Sequence, residues 1–324
     1  MIFDKTKINF LPLKKRKSKI SVSDVAFDSV TPASELDNRI KEIAKEIIKS
    51  RRNDRPVIIG FGAHLIRNGL GPILIKMVEE NYITHLATNG AGSIHDWELA
   101  FQGETTEDVK EYLEGGQFGL WEETGKYLNL AIINGASEGL GYGESIGRMI
   151  SLEKIAGEKL AHPFKRYSLQ NSAFSNNILF TVHPCFGQDI IYAHPLSDGA
   201  SIGKAAEIDF LKFVSSVSRL EGGCYLSIGS AIMSPMIFEK ALSMSRNVAK
   251  QQEREIKDFM IVANDIQEGA WNWESDTEPP KKDPAYYLRF CKTFSRAGAR
   301  NMQYIKMDNR DFVQQLYRCL HDEK

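Results

Sequence analysis

The stretch from residue 56 to residue 96 is the feature that most constrains the fold of this chain. It holds two short runs of apolar and β-branched residues, PVIIG and THLAT, on either side of the segment IRNGLGPILIKMVEEN. The apolar positions of that segment repeat at helical spacing, so the stretch predicts a strand, a helix and a second strand parallel to the first. In such βαβ units, ligands bind where the chain leaves the carboxyl ends of the strands.

Both predicted strands end in small residues. The first exit is GFGAH at residues 60–64, and the second is NGAG at residues 89–92. Glycine and alanine let backbone N–H groups approach an anionic ligand closely. The two exits are therefore the first candidates for a binding site.

The alternation of strands and helices returns after residue 178. The predicted strands are ILFTV, DIIYAHP, CYLSIG, DFMIVAN and MQYIKMD, and the predicted helices are EIDFLKFVSSVSRL, MIFEKALSMSRNVAKQQERE and DFVQQLYRCL. Strands that end in Gly, Asn or Asp and lead into helices indicate an α/β fold with a doubly wound, mostly parallel sheet of Rossmann-like type. We expect an N-terminal arm at residues 1–33 and a single α/β domain at residues 34–324.

These strand exits resemble those of deoxyhypusine synthase. That family has Leu-Gly-Tyr-Thr-Ser-Asn-Leu-Ile-x-x-Gly and then Thr-Thr-Ala-Gly-Gly-Val-Glu-Glu-Asp, where this chain has IGFGAHLIRNG at 59–69 and TNGAGSIHD at 88–96. Five shorter matches follow in the same order, namely LSDG at 196–199, IGSAI at 228–232, AND at 263–265, SDT at 275–277 and MDN at 307–309. The resemblance covers roughly residues 40–320.

The resemblance implies NAD bound across the strand ends. Carried onto this sequence, it assigns cofactor binding to Gly62, Ala63, Asn89, Gly90, Ala91, Gly92, Asp198, Gly229, Ser230, Asn264 and Asp308. It also implies a homo-oligomer, most simply a tetramer, because that family builds its sites at a subunit interface.

The family's chemistry oxidises a polyamine to an imine and passes an aminobutyl group to an amine, with a lysine carrying the fragment. The local equivalent here is Lys292, reached only with an insertion of about three residues; the ungapped equivalent is Ser295. Lys292 could equally be a surface lysine. Asp276 falls where the family handles NAD or spermidine.

Other parts of the family's polyamine site are changed. Its Glu-Glu-Asp is replaced by Ile94-His95-Asp96, and its Lys-His-His by SPM at 234–236. His64 and His95 follow the two small-residue exits, where a neutral imidazole would suit proton transfer, although each could also be bonded to a neighbouring loop. Asp96 fits a helix cap as well as it fits catalysis.

These observations predict an NAD-dependent enzyme that acts on an amine or amino acid. The chemistry would be like aminobutyl transfer, with an altered substrate pocket, and the protein would not be a true deoxyhypusine synthase. The alternative is a nucleotide-binding protein of the same fold that has lost aminobutyl transfer and serves as a sensor or in unrelated chemistry.

Composition excludes several other classes. The formal net charge is −1, which argues against a dedicated nucleic-acid binder, and the one basic run, KKRK at 14–17, fits a solvated part of the arm. Four widely spaced cysteines form no CxxC pair, and His183, Cys185 and His194 match no compact zinc pattern, so we expect no metal. The absence of a long apolar run or signal-like segment predicts a cytoplasmic protein without membrane contact.

Overall fold

The computed structural model of the protein describes residues 1–24, 36–273 and 277–322. Its centre is a six-stranded sheet made of β1 (Val57–Phe61), β2 (His85–Thr88), β3 (Leu179–Val182), β4 (Cys224–Ile228), β5 (Met260–Asp265) and β6 (Asn301–Lys306). All neighbouring strands pair in parallel, in the order β3-β2-β1-β4-β5-β6. This is the strand order of the doubly wound dinucleotide-binding fold. The predicted α/β class is confirmed.

Helices cover both faces of the sheet. They are α1 (Asn38–Arg52), α2 (His64–Arg67), α3 (Gly71–Glu79), α4 (Gly90–Gln102), α5 (Val109–Glu114), α6 (Glu122–Ser137), α7 (Tyr142–Leu152), α8 (Leu169–Ser175), α9 (Gly199–Val217), α10 (Met233–Gln251), α11 (Arg289–Ser295) and α12 (Asn309–Asp322). The buried apolar side chains form two clusters that share the sheet between them. The carboxyl ends of the strands are therefore left as the edge at which loops and helix starts meet.

The segment predicted as one helix between β1 and β2 is two. The chain turns between α2 and α3 at Gly69, which has φ of +76°, a left-handed conformation that glycine adopts without strain. Pro72 then lies in the first turn of α3, where its missing N–H costs nothing. The expectation of a single continuous helix was wrong.

The second small-residue exit is also not a loop. Residues Gly90 to Gly92 form the first turn of α4, and the side chain of Asn89 caps that turn by accepting a hydrogen bond from Gly92 N at 2.9 Å. Small residues at a helix start expose the same backbone N–H groups as a loop would, and they add the positive end of the helix dipole.

Residues 189–195 do not form the predicted strand. Ile190–Ala193 is a short 3-10 helix, and β3 is left as the edge of the sheet. The Asp189 carboxylate accepts a hydrogen bond from the Tyr192 hydroxyl at 2.9 Å, and Asn129 Nδ2 donates to Ile191 O at 2.9 Å. These contacts hold the backbone in a turn against α6 rather than extended beside β3.

The N-terminal arm packs into the domain. Leu13 is 1% exposed, Leu11 forms a β-bridge with Trp121, and the Phe10 ring lies edge-on to His194 at 4.9 Å. Arg16, from the basic run predicted to be solvated, is buried. That prediction was wrong for Arg16, because its guanidinium meets Glu98 on α4, whereas Lys14, Lys15 and Lys17 are exposed as expected. The predicted boundary at residue 33 lies outside the described residues.

Candidate functional site

The order of strands reverses between β1 and β4, and their exit loops touch at that point. Gly62 N donates to Ile228 O at 3.2 Å, and a Cβ on Gly62 would lie 2.2 Å from Gly229 O. Gly229 has φ of +56°. Glycine is needed at both positions. At Gly62 there is no space for a Cβ, and at Gly229 the backbone has a left-handed conformation that other residues adopt only with strain.

A cavity of about 320 Å³ opens beside these loops, and we call it the switch-point cavity. It is where open α/β sheets bind their ligands. Its lining comes from α2, from the exits of β4, β5 and β6, and from the start of α12: His64, Asn68, Gly229, Asn264, Asp265, Ile266, Gln267, Met307, Asp308 and Asn309.

Asn264, at the end of β5, carries an unused acceptor in this cavity. Its Nδ2 donates to Ile305 O at 3.1 Å and to Met307 O at 2.9 Å, which fixes the orientation of the amide. Its Oδ1 is buried and accepts no hydrogen bond within the described chain. An acceptor left unpartnered in this way costs about 1–3 kcal/mol. A ligand that brings an N–H or O–H group would recover that cost.

The structure divides the predicted cofactor residues into separate places. Gly229, Asn264 and Asp308 line the switch-point cavity, Gly62 packs on Gly229, and Ala63 precedes the lining residue His64. The remaining predicted residues are elsewhere or serve as caps. Asn89, Gly90, Ala91 and Gly92 lie at the start of α4, Ser230 Oγ accepts from Ser234 N at the start of α10, and Asp198 caps α9 through Ser201.

A second cavity, of about 220 Å³, lies on the other side of α2, and we call it the arm cavity. The arm, α4 and the loops after α4 and before Ile190 form its wall. Its lining is rich in ionisable groups: Arg16, Arg67, Ala91, Ile94, His95, Glu98, Thr106, Glu107, Val109, Phe118, Gln188, Asp189 and Ile190.

A buried ion pair anchors one wall of the arm cavity. Arg16 donates to both carboxylate oxygens of Glu98 at 2.8 Å, and the two side chains are 2% and 1% exposed. Thr105 and Thr124 donate their hydroxyls to the same carboxylate. Burial alone would raise the pKa of Glu98, but the charge and hydrogen bonds of Arg16 lower it on balance. Glu98 is therefore ionised and fully paired.

This pair fixes the tautomer of His95. The Thr105 hydroxyl donates its one hydrogen to Glu98 at 2.7 Å. His95 Nδ1 lies 2.8 Å from Thr105 Oγ1, so Nδ1 has to be the donor in that hydrogen bond. Burial lowers the pKa of His95 to about 4, which keeps the ring neutral at pH 7. Nε2 is then left with a free lone pair on a ring that lines the cavity.

Two polar atoms of the arm cavity have no partner within the described chain. They are Arg67 Nε and Thr106 Oγ1, both buried. Thr106 is also strained, because its φ of +69° is one that β-branched residues rarely adopt. Such strain, of order 1–3 kcal/mol, persists where the surroundings hold it and is found most often at ligand sites. Neither residue stood out in the sequence.

Two further carboxylates face the same cavity. Glu107 accepts hydrogen bonds from Gly119 N and from Trp121 Nε1, and burial raises its pKa. Asp189 lies against the start of α4, where a Cβ on Gly90 would be 2.2 Å from its Oδ2, and burial raises its pKa as well. Asp189 was not predicted from the sequence, because the apolar residues that follow it indicate a strand.

The predicted catalytic residues do not share one pocket. His64 lines the switch-point cavity and His95 the arm cavity, with Arg67 Nη1 3.5 Å from His64 Nε2 between them. Lys292 on α11 lines neither cavity: its Nζ is 3.0 Å from Glu278 and 4.0 Å from the centre of the Tyr286 ring. Asp276 lies outside the described residues.

Asp96 has the structural role that the sequence left open. It is buried within α4, and its carboxylate accepts hydrogen bonds from Ser168 Oγ, Leu169 N and Gln170 N at 2.6 to 3.1 Å. It therefore caps the start of α8 rather than the helix that follows it in sequence.

A further cavity, of about 770 Å³, lies against the edge strand β6 and the segment Glu268 to Trp273. Its wall contains Met302, Gln303 and Tyr304 from the side of the sheet. We place the candidate site at the two smaller cavities because the carboxyl-end exits of the strands meet there.

Comparison with known proteins shows the fold. No family model matches the sequence, and no curated protein matches it. Among solved structures, a protein described as LOR/SDH from Methanococcus maripaludis S2 is similar, with 17% identity, a TM-score of 0.52 and coverage of 92% of this chain and 74% of that one. Unliganded AgrE has 16% identity and a TM-score of 0.53, and the match covers 89% of this chain but only 33% of AgrE.

A protein described as a deoxyhypusine synthase from Entamoeba histolytica also matches, with 12% identity, 88% coverage of each chain and a TM-score of 0.47. These identities establish a shared Rossmann-like α/β fold and nothing finer, and the last TM-score is too low to support any inference about function.

None of the described helices is both long and apolar enough to span a membrane.

Proposed function

We propose that this chain is an NAD-dependent enzyme of deoxyhypusine synthase-like fold that acts on an amine or amino acid. The observation that carries the proposal is the switch-point cavity, where Gly62 and Gly229 bring two strand exits into contact at the reversal of strand order. The unpartnered Asn264 Oδ1 in its wall fits a ligand that offers hydrogen-bond donors, as the ribose hydroxyls and carboxamide of NAD do.

The residues that would hold NAD are Gly229, Asn264, Asp308 and Asn309, with His64 at the same cavity. Bound there, NAD would supply a hydride acceptor for oxidation of the carbon beside the substrate nitrogen. The chain's own part is then to bind the amine, orient it and take its proton, because an ammonium group cannot form an imine until it has lost one.

Calorimetric titration with NAD tests the cofactor. We expect saturable heat, and a stabilisation of about 2.7 kcal/mol at 100 times Kd, as binding to the folded state alone requires. Asp308→Ala should weaken NAD binding at least about tenfold, since one charged hydrogen bond contributes about 1.5–3 kcal/mol. Asp311→Ala is the matched control. Asp311 is exposed in the first turn of α12, the helix that begins directly after Asp308, and it lines neither cavity.

Asp308 also accepts from Arg310 N at 2.9 Å, so the thermal midpoint of each variant is measured without NAD as well. No heat and no thermal shift at millimolar NAD would overturn the proposal. An equal loss of affinity in Asp308→Ala and Asp311→Ala would place the cofactor away from this cavity.

The position of Lys292 favours a second candidate, a nucleotide-binding protein that has lost aminobutyl transfer. Transfer through a lysine needs a free amine at the site, and Lys292 is paired with Glu278 outside both cavities. Incubation with NAD and labelled spermidine, followed by borohydride, should leave no fragment on the protein. A trapped adduct that disappears in Lys292→Ala would instead support transfer and contradict this assignment.

A further inference from the structure

We infer that the arm cavity binds an α-amino acid, with the ligand carboxylate at Arg67 Nε and the ligand ammonium group at Glu107 and Asp189. The inference rests on the proposed function, and it narrows the substrate from any amine to one that carries a carboxylate. It separates this chain from the polyamine chemistry of the family that it resembles.

The balance of charge in the cavity leads to this ligand. Arg16 and Glu98 satisfy each other through two hydrogen bonds and contribute no free charge. Arg67 remains with a buried Nε that donates to nothing in the described chain. A polyamine carries only cations, so it would leave this N–H unpartnered. A carboxylate supplies the acceptor that Arg67 lacks.

Thr106 is the second, independent sign of a ligand. The residue lines the cavity and is 6% exposed, its buried hydroxyl has no partner within the described chain, and its backbone is held in a left-handed conformation. Its backbone oxygen accepts from Lys19 N at 2.7 Å, so the arm helps to hold the strained conformation. A hydroxyl in this position can donate to the same carboxylate as Arg67.

The two carboxylates supply the negative charge of the site. Glu107 and Asp189 both line the cavity, and each receives two or more hydrogen bonds from neutral donors such as Trp121 Nε1 and the Tyr192 hydroxyl. No described arginine or lysine forms an ion pair with either of them. An ammonium group would supply the missing positive charge. At about 220 Å³, the cavity is smaller than the roughly 300–1,000 Å³ typical of drug-sized ligands, which fits an amino acid.

Three related probes test the inference on the full chain. L-ornithine carries a carboxylate and two amines, putrescine is the same molecule without the carboxylate, and 5-aminopentanoate is the same molecule without the α-amine. Each is titrated calorimetrically with and without NAD. We expect L-ornithine to bind at least tenfold more tightly than either of the others.

Variants then locate the site. Arg67→Met and Thr106→Val should each weaken L-ornithine binding, the first by tenfold or more, while the affinity for putrescine changes little. Thr106→Val keeps the branched side chain and removes only the hydroxyl. Arg52→Met, an exposed arginine at the end of α1, is the matched control and should bind as the unaltered chain does. Thermal midpoints without ligand show that each variant is folded.

The outcomes distinguish this inference from the proposed function. If NAD binds and putrescine matches or exceeds L-ornithine, the inference is overturned and the proposed function stands. If L-ornithine binds through Arg67 but NAD does not bind, the inference stands and the proposed function fails. If L-ornithine binds equally to the unaltered chain and to Arg67→Met, the ligand lies elsewhere and the inference is overturned.

Discussion

Replacing Arg16 by methionine should destabilise the whole domain, although the residue lies in an arm that looks solvated in the sequence. Methionine retains the length and the apolar stem of the side chain but leaves the Glu98 carboxylate 1% exposed with only two threonine hydroxyls as partners. Breaking a buried ion pair from one side costs about 3–5 kcal/mol. That is a large part of the 5–15 kcal/mol by which a typical domain is stable.

The assay is urea unfolding followed by tryptophan fluorescence, for which Trp121 is well placed, since Arg16 Cζ lies 5.8 Å from the centre of its ring. Lys17→Met is the matched control. The Lys17 side chain is 82% exposed and 3.3 Å from Glu111, so its loss should change the free energy of unfolding by less than about 0.5 kcal/mol.

A double-mutant cycle completes the test. The double variant Arg16→Met/Glu98→Gln leaves no unpaired charge, so it should be more stable than Arg16→Met alone, with a coupling energy of about 1–3 kcal/mol. Two results would refute the reasoning: a cost for Arg16→Met no larger than that for Lys17→Met, or additive effects of the two substitutions. Either would mean that the arm does not lie against α4 in solution.

Further predictions concern other parts of the chain. Gly62→Ala should lower the free energy of unfolding in urea by about 1–3 kcal/mol and weaken NAD binding, because the new Cβ would overlap Gly229 O. Gly203→Ala is the control: its Cβ would meet open space, so the variant should be neutral or slightly stabilising. Burial raises the pKa of Asp209 to about 7, so its contribution to stability is complete below pH 4 and is lost as the pH rises to 7. At pH 8, Asp209→Asn should therefore be more stable than the unaltered chain by up to about 4 kcal/mol, at 1.36 kcal/mol per pKa unit, and this advantage should disappear at pH 4. An unchanged pH dependence of the free energy of unfolding would contradict this. Light scattering should give about four times 36.5 kDa, and a mass near 36.5 kDa would rule out the tetramer.

The sequence by itself determined the class of fold and the places where strands end. Apolar runs such as VIIGF and CYLSI are local signals, because a strand buried on both faces needs nearly every residue to be apolar. The sequence also predicts where the strands end, because a small or polar side chain after such a run ends the strand. These strand exits are Gly62, Gly229, Asn264 and Asp308. These residues met at one edge because parallel strands share their carboxyl ends.

Only the tertiary structure decided which of those exits belong to one cavity. Strand order depends on pairing between distant segments, and it placed Asn89 to Gly92 beside the arm rather than beside Gly229. The broken helix at Gly69 shows the same limit at short range, because periodicity records which residues are buried and not where a backbone turns.

The arm cavity was invisible in the sequence for a physical reason. A charged residue is buried only where a partner of opposite charge meets it, and Glu98 is 82 positions away from Arg16. The strain at Thr106 and the contact of Asp189 with Gly90 likewise depend on segments that the fold brings together. Local sequence determines the strands and their ends, whereas the burial of a charge is a property of the packed chain.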